Sequence, residues 1–442
     1  VLAGLVLLAL QLARACTGVV DETRARTCRS IVPAVEAQGA AIRILRTGRG
    51  ATSDTIRVDY EASRDGMTRQ RRLDCRFGPD PAQPGRDILT GVRTWRGEIT
   101  GASLYFLRRF YLDSRENPPD DPGMAPARPA DLPQIPRPLA FLAQVVLSAL
   151  PGAAILALTA SAYAMIHGLI GRVVFGFGEL AALGGIATVI AMLAMGGVSG
   201  AGLAAGLVAA VAVGFAHGLA GGRTIVGPLS RRGRLSTLVG SVGLMIALSE
   251  YLRLAQGSTL RFVQPVLAHP VPVAAGGDFI VTLTPMGLLA FGLALVAGAA
   301  LAAMMRLSAF GRAWRATADD PHAAALCGVD SRRILSVSTG IAGGLAGLAG
   351  FVATAHYGAF GFSDGLPLGL KALVAAVLGG VGSIPAAFAG GIVLGLSEAL
   401  WSAYLPLGTR DVAIYGLIAA FLALRPQGLF AGEEVSRGTD RG

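Results

Sequence analysis

Apolar and polar positions divide this chain of 442 residues into three regimes. Val1 to Ala15 (VLAGLVLLALQLARA) is an apolar run ending in small residues, with Arg14 inside that end. It has the pattern of a signal-peptide core or a retained anchor, and either places the following residues outside the cytoplasm. The second regime, residues 16–117, runs on shorter periods. Asp21 to Glu36 carries Ile31, Val32 and Val35 on one side, which predicts a helix. Ala41–Arg46, Thr55–Ala62 and Arg69–Phe77 alternate apolar with polar residues, which predicts half-buried strands, and residues 48–54 and 63–68 supply turn chemistry between them. Ala102–Leu112 closes this region as an amphipathic aromatic helix or strand. Residues 118–138 are rich in proline and read as an extended linker.

From Leu139 onward apolar segments follow one another, at 139–167, 173–196, 200–221, 235–255, 283–305, 334–356, 368–400 and 411–424. About 20 apolar residues cross the hydrocarbon as a helix. The stretch 368–400 is too long for one simple helix and breaks at Gly379–Pro385 (GGVGSIP), leaving one broken span, a re-entrant loop or two short spans. The expected fold is an α-helical polytopic membrane protein of about eight to nine spans, with a small α+β extracytoplasmic domain at its N-terminus. Its divisions are the segment 1–15, the small domain 16–117, the linker 118–138, the membrane domain 139–430 and a C-terminal tail 431–442.

Composition agrees. The chain is 53% hydrophobic and 15% charged, against about 25% charged in soluble proteins. Nine of the acidic residues lie between Leu139 and Leu424 and the other nineteen outside that stretch. Starting from outside, alternate crossings put the loops at 222–234 and 306–333 inside, and these hold nine of the thirteen arginines of the stretch, as the positive-inside rule requires. Arg425, Arg437 and Arg441 favour a cytoplasmic C-terminus. The net charge of +10 does not indicate nucleic acid: residues 16–138 mix twenty basic with sixteen acidic residues, and 37 of the 38 basic residues are Arg. Histidines and cysteines have no metal-ligand spacing, so neither a metal nor a cofactor is expected. Cys16, Cys28 and Cys75 fall in the N-terminal domain, where a disulfide is one reading and unlinked thiols another. Cys28–Cys75 is the preferred pair because both lie on predicted elements. No paired-carboxylate or nucleophile–base constellation appears on a common face, which argues against an enzyme.

Three places carry candidate chemistry. Glu179 lies in an apolar stretch (VVFGFGELAALGG, 173–185), either facing a cavity or partner or bathed by interfacial water at a helix end. Lys371, the only lysine, either holds a carboxylate (from substrate, Glu398 or Asp411) or extends its stem to the interface, the preferred reading. The GGVGSIP break would expose backbone groups at membrane depth, tolerated only beside protein or a watery cavity. It is the better pathway candidate of the two. The pathway residues expected from these places are Glu179, Lys371, Gly379, Gly380, Gly382, Ser383 and Glu398. The inner loop 307–333 is polar, with Asp319, Asp320 and Pro321 marking a new helix start. It suits docking into a groove on a partner protein, the alternative being an ordinary connector.

The loop's sequence, GRAWRATADDPHAAALCGVDSRR, resembles the cytoplasmic coupling loop of the LivH-type branched-chain amino-acid permeases. The family's pattern falls on Gly311, Arg312, Ala313, Arg315, Ala316, Asp319, Asp320, Ala323, Ala324, Leu326, Gly328 and Val329. Downstream, Lys371-Ala372, AAVLGGVGSIPAAFAGGIVLGLSEAL (375–400) and RPQGLF (425–430) are similar to the family's later blocks. The resemblance covers most of 139–430 and excludes the N-terminal domain. It implies a permease subunit of an ATP-driven importer, in which this loop contacts ATPase subunits. It further implies a second, related permease, an extracytoplasmic solute-binding protein and a bacterial inner membrane whose lipid surrounds the helices. The chain itself has no phosphate-binding GxxxxGK[ST] loop. Near Glu179 the family motif is similar to Asn-Phe-Ala-His-Gly-Glu. Phe175, Gly178 and Glu179 are kept, so the resemblance adds Phe175 and Gly178 to the expected pathway, while Val174 and Phe177 replace its Asn and His. Relatives also move urea and short amides, and branched-chain amino acids are the preferred substrate here. A secondary transporter is the rival class, binding at broken helices, and the inner loop discriminates, since only an ATP-driven permease needs a docking helix there.

Overall fold

The computed structural model describes residues 21–36, 40–52, 54–64, 67–79, 87–112, 121–122, 132–256, 262–277, 279–380, 382–424 and 428–430. The run at 1–15, Cys16 and the tail at 431–442 lie outside them, as does most of the proline-rich stretch. The chain forms two compact units, within residues 15–128 and within residues 129–442.

The first unit opens with α1 (Glu22–Val35), whose N-terminus is capped by the Asp21 carboxylate accepting from the backbone N–H of Thr23 and Arg24. Its buried apolar residues, Ala25, Cys28, Ile31 and Val32, recur at helical spacing. An antiparallel sheet follows in simple meander order: β1 (Ala41–Arg49), β2 (Thr55–Arg64), β3 (Met67–Pro79), β4 (Asp87–Thr94) and β5 (Gly97–Ile99). On β2 the core takes Ile56, Val58, Tyr60 and Ala62, while Arg57, Asp59 and Glu61 point to the other face. That outer face is finished by cross-strand ion pairs, Arg57–Asp74 at 2.9 Å, Arg72–Asp59 at 2.9 Å and Arg43–Glu61 at 3.5 Å. A Cys28–Cys75 disulfide joins α1 to β3. The last two strands go beyond the sequence expectation. Pairing Arg76↔Gly91 and Phe77↔Leu89 leaves Thr90 as a bulge, so Leu89 and Val92 both enter the core three positions apart and no alternation is visible. The predicted aromatic segment is α2 (Gly101–Phe106), continued by a π-helical turn at Leu107–Leu112.

The second unit has eight helices long and apolar enough to cross a membrane among the described residues. In order its helices are α3 (Arg137–Ile170), α4 (Phe177–Ala194), α5 (Gly200–Gly221), α6 (Gly227–Ser230), α7 (Arg234–Gln256), α8 (Pro285–Leu307), α9 (Ala309–Asp319), α10 (Pro321–Leu326), α11 (Ser331–Tyr357), α12 (Gly365–Gly379), α13 (Ile384–Tyr404) and α14 (Arg410–Leu424). A π-helical turn at Gly222–Val226 joins α5 to α6, so the helical path runs on from 221 to 230. The loop expected at 256–282 contains a hairpin, β6 (Val271–Gly276) with β7 (Phe279–Leu283). Gln134, at the end of the proline-rich stretch, bridges to Ala275 on that hairpin. The long stretch 368–400 resolves into two helices: contacts of Gly379 with Ala386, and of Gly390 with Ala375, make α12 and α13 an antiparallel pair. At 15 residues α14 is shorter than a full crossing.

α11 is the most deeply buried helix, packed between α3, α4 and α5. Its seam with α5 is made of backbone. A β-carbon on Gly343 would lie 2.2 Å from the Gly214 carbonyl oxygen, and one on Gly218 would lie 2.3 Å from that of Thr339. α3 and α13 meet the same way, Gly391 against Ala157 and Gly395 against Ala153. Lipid chains are as apolar as the helices they surround, so close van der Waals approach at small residues takes over the role that hydrophobic burial has in water.

Candidate functional site

The sequence reads continuous apolar helix from 173, yet α4 does not begin until Phe177. The chain between α3 and α4 is extended, with left-handed glycines at both ends, Gly171 at φ 62° and Gly176 at φ 114°. Such dihedrals cost a glycine little and other residues more. The intervening Val173 and Val174 are β-branched and disfavour helix. Apolar content alone carries no trace of this break.

α4 therefore starts against other helices. A β-carbon on Gly178 would sit 1.9 Å from the Gly365 carbonyl oxygen, so the first turns of α4 and α12 touch backbone to backbone. Glu179 lies in this first turn of α4 and is 2% exposed. The unsatisfied N–H groups and dipole of a helix N-terminus favour a carboxylate there. Tyr163, whose ring meets Phe177 edge-on at 4.9 Å, brings its hydroxyl to within 3.4 Å of a β-carbon built on Gly369. Neither that hydroxyl nor the buried one of Thr354, beside Gly185 on α4, has a hydrogen-bond partner among the described residues. On another side of the break is a small cavity of about 20 Å³, room for a water molecule. Its lining includes Val174, Phe175, Leu180, Val226, His217 and Thr339. At the foot of α3, Arg172 reaches the Ser230 carbonyl at 2.5 Å and the Thr237 hydroxyl at 3.1 Å, tying the break to α6 and α7.

Lys371 stands elsewhere. The antiparallel pairing of α12 and α13 sets Glu398 opposite it, with Nζ 2.8 Å from the Glu398 carboxylate and 3.6 Å from that of Asp411 on α14. The preferred reading, a lysine with its stem extended to the interface, thus gives way to the pairing alternative. No ion pair or hydrogen bond links this triad to Glu179 among the described residues. The glycine break is closed as well. After Gly379 the chain turns at Gly380 (φ 124°), and Ser383 caps α13 by accepting from the Ala386 N–H. Leu429 and Phe430 donate to the freed carbonyls of Leu378 and Gly379 at 2.8 and 3.1 Å. Gly382 is exposed and Ser383 half-buried. The structure therefore keeps Phe175, Gly178 and Glu179 together, groups Lys371 with Glu398, and leaves Gly379–Ser383 as a helix hairpin covered by residues 428–430.

The inner loop forms two short helices. Ser308 caps α9 by accepting from the Gly311 N–H at 3.1 Å. Gly311, Trp314 and Thr317 form the buried side of α9, while Arg312, Arg315, Ala316 and Asp319 are exposed and Ala313 is half-buried. Gly311 presses on the Met305 carbonyl, to which Arg315 also donates. Asp320 caps α10 through the N–H groups of His322 and Ala323 at 2.7 and 3.1 Å. These two bonds hold its carboxyl below the usual value of 3.8. Ala324 packs inward, Ala323 and Gly328 are exposed, and Leu326 is 91% exposed. Trp314 carries the pair: its ring lies 2.8 Å from where a β-carbon on Gly168 of α3 would be. The loop's lone tryptophan was a signal available in the sequence, as was Tyr163 within an apolar helix. His217 gave none, being a single polar residue in a long apolar run, and nothing sets Thr339 apart from Ser336 and Ser338 or Thr354 apart from His356.

A family profile described as "Branched-chain amino acid transport system / permease component" matches residues 145–422. The chain is similar to the high-affinity branched-chain amino acid transport system permease protein LivH of Escherichia coli (strain K12), with 34% identity over 285 residues, 64% of this chain and 92% of that protein. It is likewise similar to the corresponding permease protein BraD of Pseudomonas aeruginosa, with 32% identity over 285 residues, 64% of this chain and 93% of that protein. No solved structure matches it.

Proposed function

The chain belongs to the family of branched-chain amino acid transport system permease components, and from that premise we propose that it lines the path of an ATP-driven importer and couples it to ATPase subunits through α9 and α10. One observation carries this reading: a pair of short helices projects an exposed face, with Leu326 at its tip, while Trp314 locks the pair to α3. A connector needs neither feature, and a secondary transporter has no partner to present them to. In this reading the loop 306–333 faces the cytoplasm and residues 16–117 lie outside it, as the arginine distribution supports. The partners are ATPase subunits, a second related permease and an extracytoplasmic solute-binding protein.

The break at 171–176, with Glu179 beyond it, is the proposed pathway constriction. Discontinuous helices bring backbone dipoles and a buried charge to the place where a polar solute must shed water. The relatives' branched-chain amino acid transport supports a branched aliphatic side chain over urea as the cargo. Gentle-detergent purification from native membranes, with mass spectrometry of stoichiometric partners, tests the assignment. ATPase subunits and a second permease are the expected companions, and recovery of the chain alone under several detergents would overturn it.

A further inference from the structure

The aromatic helix of the N-terminal unit has two unlike sides. On one, Leu104 is buried, Leu107 and Leu112 pack on the domain core, and the Tyr111 hydroxyl donates to the Ser30 carbonyl at 3.1 Å. This side fixes the segment to the domain. The other side presents Tyr105, Phe106 and Phe110, which are 61%, 59% and 65% exposed. Phe106 and Phe110, one turn apart, stack at 5.4 Å, and Tyr105 meets Phe106 edge-on at 6.0 Å. A water-facing cluster of three aromatics opposes the rule that a soluble domain disperses such groups.

Charge sharpens the contrast. Many arginines elsewhere in the unit are matched with carboxylates, as Arg24 with Asp87, Arg29 with Asp121, Arg57 with Asp74 and Arg71 with Glu36. Arg108 and Arg109, inside the aromatic segment, have no ion pair among the described residues. Aromatic rings beside unmatched cations suit the boundary between lipid headgroups and acyl chains, where a ring buries its body and guanidinium meets phosphate. The bilayer is also the apolar surface always within reach. Residues 113–136 separate this segment from the start of α3, and a proline-rich linker of that length extends at most roughly 75 Å at about 3.1 Å per residue. Tethering at that range raises the effective concentration of domain at the membrane without any new contact.

We propose that Tyr105, Phe106 and Phe110, flanked by Arg108 and Arg109, seat the N-terminal unit on the bilayer interface. The surface so formed is a lipid-docking face, distinct from the transport path and independent of it. The test uses the full chain in vesicles of phosphatidylcholine and phosphatidylglycerol, with Cys16→Ser and Cys327→Ser removing the other thiols. A fluorophore is placed at Ala102→Cys, on the exposed side one turn from Phe106, and a reference fluorophore at Arg72→Cys on the charged face of the sheet. Doxyl groups placed near the lipid headgroup are expected to quench the probe at 102 several-fold more than the probe at 72. Phe106→Asp with Phe110→Asp is expected to abolish the difference, with thermolysin resistance of the unit confirming that it stays folded. Arg108→Gln with Arg109→Gln is expected to weaken quenching in the anionic vesicles and to leave it little changed in neutral ones. Equal, water-like behaviour of the two probes would overturn the proposal. So would shielding at 102 that ignores the doxyl lipid and fades as protein is diluted in lipid, since that marks a second copy as the occupant.

Discussion

In the N-terminal unit neighbouring elements are joined by side chains: Arg57 reaches Asp74, Arg72 reaches Asp59, and Glu36 gathers Arg71, Tyr60 and Trp95. In the helical unit the tightest seams are joined by their absence, with Gly214 on Gly343, Gly178 on Gly365 and Gly391 on Ala157. Solvent explains the difference. Water screens an exposed ion pair but also hydrates it, so a sheet can carry many such pairs at small individual gain. Lipid offers neither screening nor hydration, and helices there gain by approaching closely. A sheet face of long charged side chains tolerates change, whereas a backbone seam does not.

The largest effect is therefore expected from Gly343→Val. Its new side chain would have to displace backbone, so the cost exceeds the ~1–3 kcal/mol of ordinary overpacking. Thermal unfolding in detergent followed by size exclusion should show loss of the folded bundle. Gly48→Val, on a strand with nothing within 4 Å of the added β-carbon, should leave both units folded. A bundle that tolerates Gly343→Val would show that the seam is looser than its contacts.

An intermediate effect is expected from replacing Cys28 and Cys75 together by Ser. The disulfide closes a sequence separation of 47, and such loops contribute about 2–4 kcal/mol. Limited proteolysis of native membranes should find residues 40–100 more readily cut while the midpoint of the helical unit stays unchanged. A shift in both would contradict the separation of the units.

The smallest effect is expected at Asp320. Because its folded-state carboxyl lies below the ordinary 3.8, its contribution is fully present above that value and is lost as pH falls through the depressed one. Protection of the His322 and Ala323 amides against exchange, relative to the intrinsic rate at each pH, should be high at neutral pH and lower in that acid range. Asp320→Ala should remove that protection throughout, and an unchanged pH profile of protection in that variant would remove the capping bond as the cause.

How far the sequence could be read follows the same division. Strand β2 was legible because its alternation meets one core and one solvent, and the membrane helices because apolar length needs no partner to be seen. β4 was not, because the bulge at Thr90 puts Leu89 and Val92 on one side. The break before Phe177 was hidden for a related reason: Val173 and Val174 are as apolar as the helices around them, and the turn rests on the dihedrals of Gly171 and Gly176. Of the expected site residues, Glu179 stood out as a charge and the loop at 307–333 as a motif. That Lys371 faces Glu398 depends on helix pairing, which no local signal encodes. The hairpin at 379–383 looked open in sequence because its cover, Leu429 and Phe430, lies some fifty residues further on.

The wedge of Trp314 under Gly168 has a mechanical consequence. A flexible loop pushed by a partner would bend and dissipate the push, but in the proposed coupling role an indole seated on a glycine of α3 would act as a gear tooth. Gly168 lies three residues before Gly171, where the helix ends and the break begins, so under the proposed coupling a displacement of α9 would reach the end of α3 beside the break. In that reading, replacing Gly168 by a larger residue would unseat the tooth while leaving α9, α10 and the broken span assembled but out of mesh.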